Sequence, residues 1–175
     1  KGDYSTTVII VTTDKVYENL ELNIPFKEDD KLGGKDPYSA SKSAAEMITY
    51  SYQKSFCETN DKRIASVRAG NVIGGGDWST DRLIPDIFKT ITQKKEFELR
   101  NPNAVRPWQH VLDCLNGYLK LVDALLSGFG AGIWNIGPEK SEMRTVSDVA
   151  NIAANTWGAA NKWEPDLTSN LFEEN

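Results

Sequence analysis

The sequence predicts an α/β chain built on a parallel sheet, and three observations carry that prediction. Thr7-Val8-Ile9-Ile10-Val11-Thr12 is an apolar run without alternation, the pattern of a strand covered on both faces. Ile64-Ala65-Ser66-Val67-Arg68-Ala69 reads as a second strand and Gly132-Ile133-Trp134-Asn135-Ile136-Gly137 as a third. Helical patterns fall between them, and strands alternating with helices make βαβ units.

The first strand runs out into Thr13-Asp14-Lys15-Val16-Tyr17. Ligands of open α/β sheets bind outside the carboxyl ends of the strands, so the hydroxyl, carboxylate and ammonium of Thr13, Asp14 and Lys15 stand where chemistry is done. Residues 18–35 are polar and contain Pro25 and Gly33-Gly34, a surface loop. Asp36 then supplies an N-cap and Pro37 a first-turn proline for a helix over about 39–56. Ala40, Ala44, Met47, Ile48 and Tyr52 form its apolar stripe, predicted to face the sheet.

Tyr38 and Lys42 are spaced i, i+4 and share one face of that helix. An ammonium beside a phenol favours the phenolate and draws a group of pKa about 10 toward the working range of a general base. Tyr50 and Lys54 repeat the spacing on the same helix, about 120° round and three turns further from the strand ends. Context therefore favours the first pair, since spacing alone does not discriminate.

The second strand ends in Gly70-Asn71-Val72-Ile73-Gly74-Gly75-Gly76-Asp77-Trp78. This is not Gly-x-Gly-x-x-Gly opening a helix, and no Gly-Lys-Ser/Thr occurs, so neither a dinucleotide fingerprint nor a P-loop is present. A tight turn and a ligand-facing loop both remain open readings. A helix is expected from Asp81 to about Gln93, and a short strand at Phe97-Glu98-Leu99. Arg106-Pro107-Trp108-Gln109-His110-Val111 then leads into a helix ending near Leu126. His110, the only histidine, lacks a Gly-x-Ser-x-Gly partner and is expected to make a structural hydrogen bond rather than serve a triad. A last helix runs to Trp157, capped by Thr145 or Ser147, and residues 161–175 are polar and acidic.

A length of 175 residues suits one domain with a real core. With 25 acidic against 20 basic residues, a net charge of -5 and no basic block, no nucleic-acid partner is expected. Cys57 and Cys114 stand far apart without a Cys-x-x-Cys, which argues against a metal or a disulfide framework and suits a cytoplasmic protein with reduced thiols. No apolar run approaches the roughly 18 residues that span a bilayer, so no membrane association is expected. The chain enters a central-type strand within a few residues of Lys1, as the later part of a larger protein would.

Thr-Thr-Asp-Lys-Val-Tyr at 12–17, Pro-Tyr-Ser-Ala-Ser-Lys at 37–42, Arg-Ala-Gly-Asn-Val-Ile-Gly-Gly-Gly-Asp-Trp at 68–78 and Arg-Pro-Trp-Gln-His-Val at 106–111 together resemble the extended short-chain dehydrogenase/reductases. Within them the resemblance is to the CDP-glucose 4,6-dehydratases, and it covers residues 8 to about 138. The Tyr-Lys element is shared across the superfamily. Lys15, where related dTDP-glucose dehydratases carry glutamate, and the Gly-Gly-Gly-Asp-Trp loop are more specific. The resemblance implies the later part of a Rossmann-like parallel sheet domain plus part of a smaller substrate-binding region. Residues 1–70 would be the C-terminal part of the dinucleotide-binding domain, and 71–175 a mixture of substrate-binding and returning Rossmann elements. The family's glycine-rich fingerprint and first βαβ units have no match in this chain.

The resemblance also implies roles. NAD is the implied cofactor, a nucleotide-diphosphate sugar the substrate, and a homo-oligomer the assembly, with Met47 or Tyr50 of the Tyr-Lys helix available to a second subunit. Tyr38 would deprotonate the sugar 4-hydroxyl, Lys42 would assist it and hold the nicotinamide ribose, and Thr13 would hydrogen-bond the 4-oxygen. Asp14 would protonate the departing 6-hydroxyl and Lys15 would remove the C5 proton. Thr12, Tyr38, Lys42 and Ala69 fall at cofactor-binding positions. Asn71, Arg82, Arg106 and Asn135 fall at positions that contact the diphosphate or the sugar, where an arginine fork suits a pyrophosphate. The implied product is a 4-keto-6-deoxy sugar nucleotide. An epimerase of the same superfamily and a non-catalytic nucleotide-binding module are the alternatives. Epimerases need no acid and base beside Thr13, so Asp14 and Lys15 favour elimination.

Overall fold

The apolar runs pair side by side in the computed structural model, which describes residues 6–20, 24–57, 62–95, 97–158 and 163–165. Strand β1 (Thr7–Thr13) ends in a 3-10 turn (Asp14–Val16), and α1 (Pro37–Tyr52) continues into a single wider turn (Gln53–Cys57) before β2 (Arg63–Ala69). Then come β3 (Val72–Ile73), α2 (Leu83–Thr92), β4 (Phe97–Leu99), β5 (Val105–Arg106), β6 (Gln109–His110), α3 (Val111–Leu126) and β7 (Gly132–Ile136). A 3-10 turn (Lys140–Glu142), β8 (Arg144–Thr145), α4 (Val146–Thr156) and β9 (Trp163–Pro165) complete the described chain. The predicted parallel sheet forms in the order β1-β2-β7. Thr13 lies opposite Ala69, and Ala69 opposite Ile136, so the three carboxyl ends share one edge.

Length alone predicts a single core, but the chain divides into two compact units. The first comprises residues 1–72 and 109–137, the second 73–108 and 138–175. In the first, Ala65 and Val67 of β2 pack with Leu121 and Leu125 of α3, joined by Ile9, Tyr118 and Ile136. In the second, Ile87, Leu99, Ala150 and Ala153 form a separate cluster between α2, α4 and β4. The reason is that the chain leaves the sheet after β2 and returns only with α3 and β7, and the intervening helix buries its apolar stripe on α4.

Side chains alternate along a strand. Ile9, Ala65 and Val67 accordingly point to α3, while Thr12 and Arg68 point to α1. This alternation corrects the predicted stripe of α1. The helix buries Ser39, Ser43, Glu46 and Thr49, one residue or about 100° away from the expected apolar face. Met47, Ile48 and Tyr52 are instead 59%, 61% and 57% exposed. Near the strand ends α1 lies over Thr12 and Arg68, which share their strand faces with Val8, Ile10 and Ile64, and it answers these two polar residues with the Glu46 carboxylate.

The ends of the helices follow local chemistry. Asp36 caps α1 with Pro37 in its first turn, as expected. Helix α2 begins at Leu83 rather than Asp81, because Asp81 sits at φ +59°, outside the helical region, where its carboxylate meets Arg100 at 2.7 Å. His110 Nδ1 accepts the Leu112 N–H at 3.2 Å and caps α3. Thr145 and Asp148 cap α4 reciprocally, Thr145 Oγ1 accepting the Asp148 N–H at 3.0 Å and the Asp148 carboxylate accepting the Thr145 N–H at 3.1 Å. Among the described residues no helix is long and apolar enough to cross a membrane.

Candidate active site

At the end of β1 the backbone of Thr13 is still extended, at φ -145° and ψ 157°, and its side chain organises the turn that follows. Thr13 Oγ1 donates to Asp14 Oδ1 at 3.1 Å and accepts the Lys15 N–H at 3.3 Å. The three residues singled out from the sequence are therefore tied to one another, with Thr13 buried, Asp14 half-buried and Lys15 exposed.

Helix α1 starts beside this turn. Asp36 Oδ1 accepts the backbone N–H of Tyr38 at 2.8 Å and of Ser39 at 3.1 Å, and the Ser39 hydroxyl donates to Oδ2. These bonds, the Ser39 hydroxyl foremost, hold the Asp36 carboxyl below its ordinary 3.8, and the charge of Lys15 lowers it further. The Ser43 hydroxyl of α1 donates to the Val16 carbonyl at 3.0 Å and ties the turn that carries Lys15 to the helix. The loop before the helix approaches closely: a Cβ on Gly34, which has φ +129°, would lie 2.6 Å from the Ala40 nitrogen.

Tyr38 is 52% exposed, and Lys42 Nζ lies 5.9 Å from its ring centroid. Lys54 lies 5.8 Å from the ring of Tyr50, so the internal geometry of the two pairs is the same. Their positions differ. Twelve residues of helix separate them by about 18 Å along the axis, and the N-terminal pair is the one at the Asp36 cap.

A buried polar network connects α1 to the strand ends, and the sequence reading did not anticipate it. Arg68 and Glu46 are 2% and 3% exposed. Arg68 Nε donates to both Glu46 oxygens, at 2.9 and 3.0 Å, and Nη1 donates to the Glu28 carbonyl at 3.0 Å. The guanidinium carbon lies 4.6 Å from the ring centroid of Tyr17, which stacks on Phe26 at 4.5 Å and 7°. The Tyr17 hydroxyl donates to Asn135 Oδ1 at 2.6 Å, and burial pushes its pKa up, keeping the proton in place for that bond. Asn135 Nδ2 donates to the Phe26 carbonyl at 3.2 Å, and its backbone N–H to Glu28 Oε1 at 2.9 Å. The available signal was an arginine in an otherwise uncharged strand interior, which demands a carboxylate on the covering helix.

The remaining candidates have definite places. Thr12 is buried, its hydroxyl 2.5 Å from Glu46 Oε1 and 3.1 Å from the Val67 carbonyl. Ala69 is buried between Thr13 and Ile136 on the neighbouring strands. Asn71 lies just past β2, its carbonyl accepting the Gln109 N–H at 2.9 Å. Arg82 and Arg106 belong to the second unit. Arg82 stands at the start of α2, where its charge helps to lower the Asp77 carboxyl pKa behind the larger effect of the bonds from Ser79. Arg106 is opposite Arg144 across the β5-β8 pair. In the glycine-rich loop, Gly76 has φ +82° with open space where a side chain would stand.

Comparison with known proteins follows the same outline. CDP-glucose 4,6-dehydratase of Salmonella typhimurium is 41% identical over 164 residues, 89% of this chain and 45% of that protein. The NAD complex of dTDP-glucose 4,6-dehydratase from Bacillus anthracis superposes with a TM-score of 0.73 at 26% identity, covering 90% of this chain and 49% of that one. The NAD complex of UDP-glucose 4-epimerase from Thermus thermophilus gives a TM-score of 0.75 at 21% identity, covering 95% and 53%, and shows a shared fold. The chain thus spans about half the length of the relatives it matches. Residues 3–137, which hold both the Thr13-Asp14-Lys15 turn and the Tyr-Lys helix, match the NAD dependent epimerase/dehydratase family. The resemblance read from the motifs therefore holds at the level of the family, and this chain belongs to the NAD dependent epimerase/dehydratases.

Proposed function

We propose that this chain carries the catalytic strand ends of a sugar-nucleotide 4,6-dehydratase acting on CDP-glucose. The observation that supports this most is the Thr13-Asp14-Lys15 turn, in which one hydroxyl holds a carboxylate and the next residue's backbone together at the end of β1. An epimerase would use Tyr38 and Lys42 but has no task for an acid and a base beside Thr13. The identity to the Salmonella dehydratase supports the choice of CDP-glucose.

Tyr38 takes the proton of the sugar 4-hydroxyl, the charge of Lys42 one turn along stabilising the phenolate oxygen that accepts it. Thr13 hydrogen-bonds the 4-oxygen. Lys15 removes the C5 proton, acidified by the new C4 ketone, and Asp14 protonates the 6-oxygen as the C6–O bond breaks and water leaves. A phenol and an ammonium on one helix face fit the hydroxyls of a nicotinamide ribose, so Tyr38 and Lys42 would hold that end of NAD. NAD, when bound, supplies the acceptor for the hydride from C4 and its return to C6. Asn71, Arg82 and Arg106 would serve the nucleotide diphosphate. The exposed Met47, Ile48 and Tyr52 on the outer side of α1 would suit a second copy of the chain.

The test is proton NMR of the protein, in its full-length context, incubated with NAD and CDP-glucose. A new C6 methyl signal with a C4 ketone is expected. Inversion at C4 without a methyl signal would replace elimination by epimerisation, and conversion of dTDP- or UDP-glucose alone would overturn the choice of nucleotide.

A further inference from the structure

Arg68 spends its donors in two directions. On one side Nε and Nη2 grip Glu46, which lies on α1 one turn beyond Lys42 and shares its face. On the other side Nη1 holds the Glu28 carbonyl, and the guanidinium plane covers Tyr17. Tyr17 is sandwiched between that plane and Phe26, so its hydroxyl is aimed at Asn135 Oδ1 with little freedom. Asn135 then holds the Phe26 carbonyl and the Glu28 carboxylate. These contacts form a closed loop that joins the helix bearing Tyr38 and Lys42, the end of β1, the end of β7 and residues 26–28. Both ends of the Asn135 amide are used within it.

We propose that Arg68 is a positioning residue. It locks residues 26–28 and the Asn135 amide against the helix that carries Tyr38 and Lys42, and so shapes the sugar-nucleotide side of the site. Asn135 on this account orients the 26–28 segment through its amide rather than binding substrate with it. A planar fork can reach a carboxylate and a carbonyl at once while lying flat on an aromatic ring, and a lysine ammonium cannot. The proposal rests on the dehydratase reading for its substrate, but its geometry stands without it.

The test uses the full-length protein with Arg68→Lys, with Tyr17→Phe, and with both. Tyr17→Phe keeps the ring and removes only the hydroxyl on Asn135. Each single variant is expected to raise KM for the nucleotide sugar about tenfold, the effect of one lost buried hydrogen bond, with kcat and NAD affinity nearly unchanged. The double variant should be less than additive, since both act on the same segment. Hydrogen exchange at residues 26–28 should rise in every variant while exchange in α3 stays constant. An unmoved KM with turnover intact overturns the proposal, as does exchange that rises equally in α3 and 26–28. If Arg68→Lys does not fold, Tyr17→Phe decides by the same two readouts. Wild-type protein that neither binds nor converts a nucleotide sugar would count against the dehydratase reading. Exchange at 26–28 would then decide alone, a local rise supporting the role of Arg68 and no rise overturning it.

Discussion

Glu46 and Arg68 form an ion pair whose side chains are 2% and 1% exposed, joining the Tyr-Lys helix to the second strand. Two charges leave water together only when their remaining hydrogen-bonding capacity is used, and here Thr12 and the Glu28 carbonyl use it. The pair is thus a contact that neither partner can lose cheaply.

Glu46→Gln should destabilise the fold by about 3–5 kcal/mol, the cost of leaving one buried charge without its partner. Urea denaturation measures this. A loss within the range of ordinary surface substitutions, about 0.5 kcal/mol or less, would mean that water reaches the guanidinium.

Tyr38→Phe in the full-length protein should reduce turnover by roughly 10²- to 10⁴-fold, because in the proposed mechanism the phenolic oxygen accepts the proton of the first step. Tyr50→Phe should leave turnover near wild type. Steady-state rates of the two variants compare the pairs directly, and greater sensitivity at Tyr50 would reverse the choice between them.

Asp14→Asn should separate oxidation from elimination, since an amide of the same shape cannot act as a carboxylic acid. Single-turnover mixing with NAD and CDP-glucose should show reduced nicotinamide accumulating while the 6-deoxy product is delayed. Loss of both signals in step would move Asp14 into oxidation or folding, and normal kinetics in both would remove it from the mechanism.

The cap of α1 carries a pH dependence of known sign. The Asp36 carboxyl is held below 3.8 in the folded chain, first by the Ser39 hydroxyl, so folding favours its ionised form. Its contribution is present above pH 3.8 and is lost as the pH falls through the lowered folded value. Asparagine caps a helix about as well as aspartate but carries no charge. The stability difference between wild type and Asp36→Asn should therefore hold steady near neutral pH and shrink on acidification. A difference independent of pH would show that the charge plays no part.

The short-range patterns of the sequence determined the three parallel strands, the Asp36-Pro37 start of α1 and the shared face of Tyr38 and Lys42. Each depends on residues only a few positions apart. Asp81 marks the limit of such reading, since its positive φ shortens α2 and depends on where the preceding loop delivers the chain. Only the tertiary structure decided which side of α1 is buried. The rule that apolar stripes face a sheet gives no weight to single polar residues on it, and here Thr12 and Arg68, on the same strand faces as Val8, Ile10 and Ile64, meet Glu46 from 34 and 22 residues away. Asn135 is a similar case. It reaches Tyr17 across 118 residues of chain and Phe26 across 109, so its partners were set by the pairing of β7 with β2 and by the path of the loop that follows β1, which no local pattern encodes.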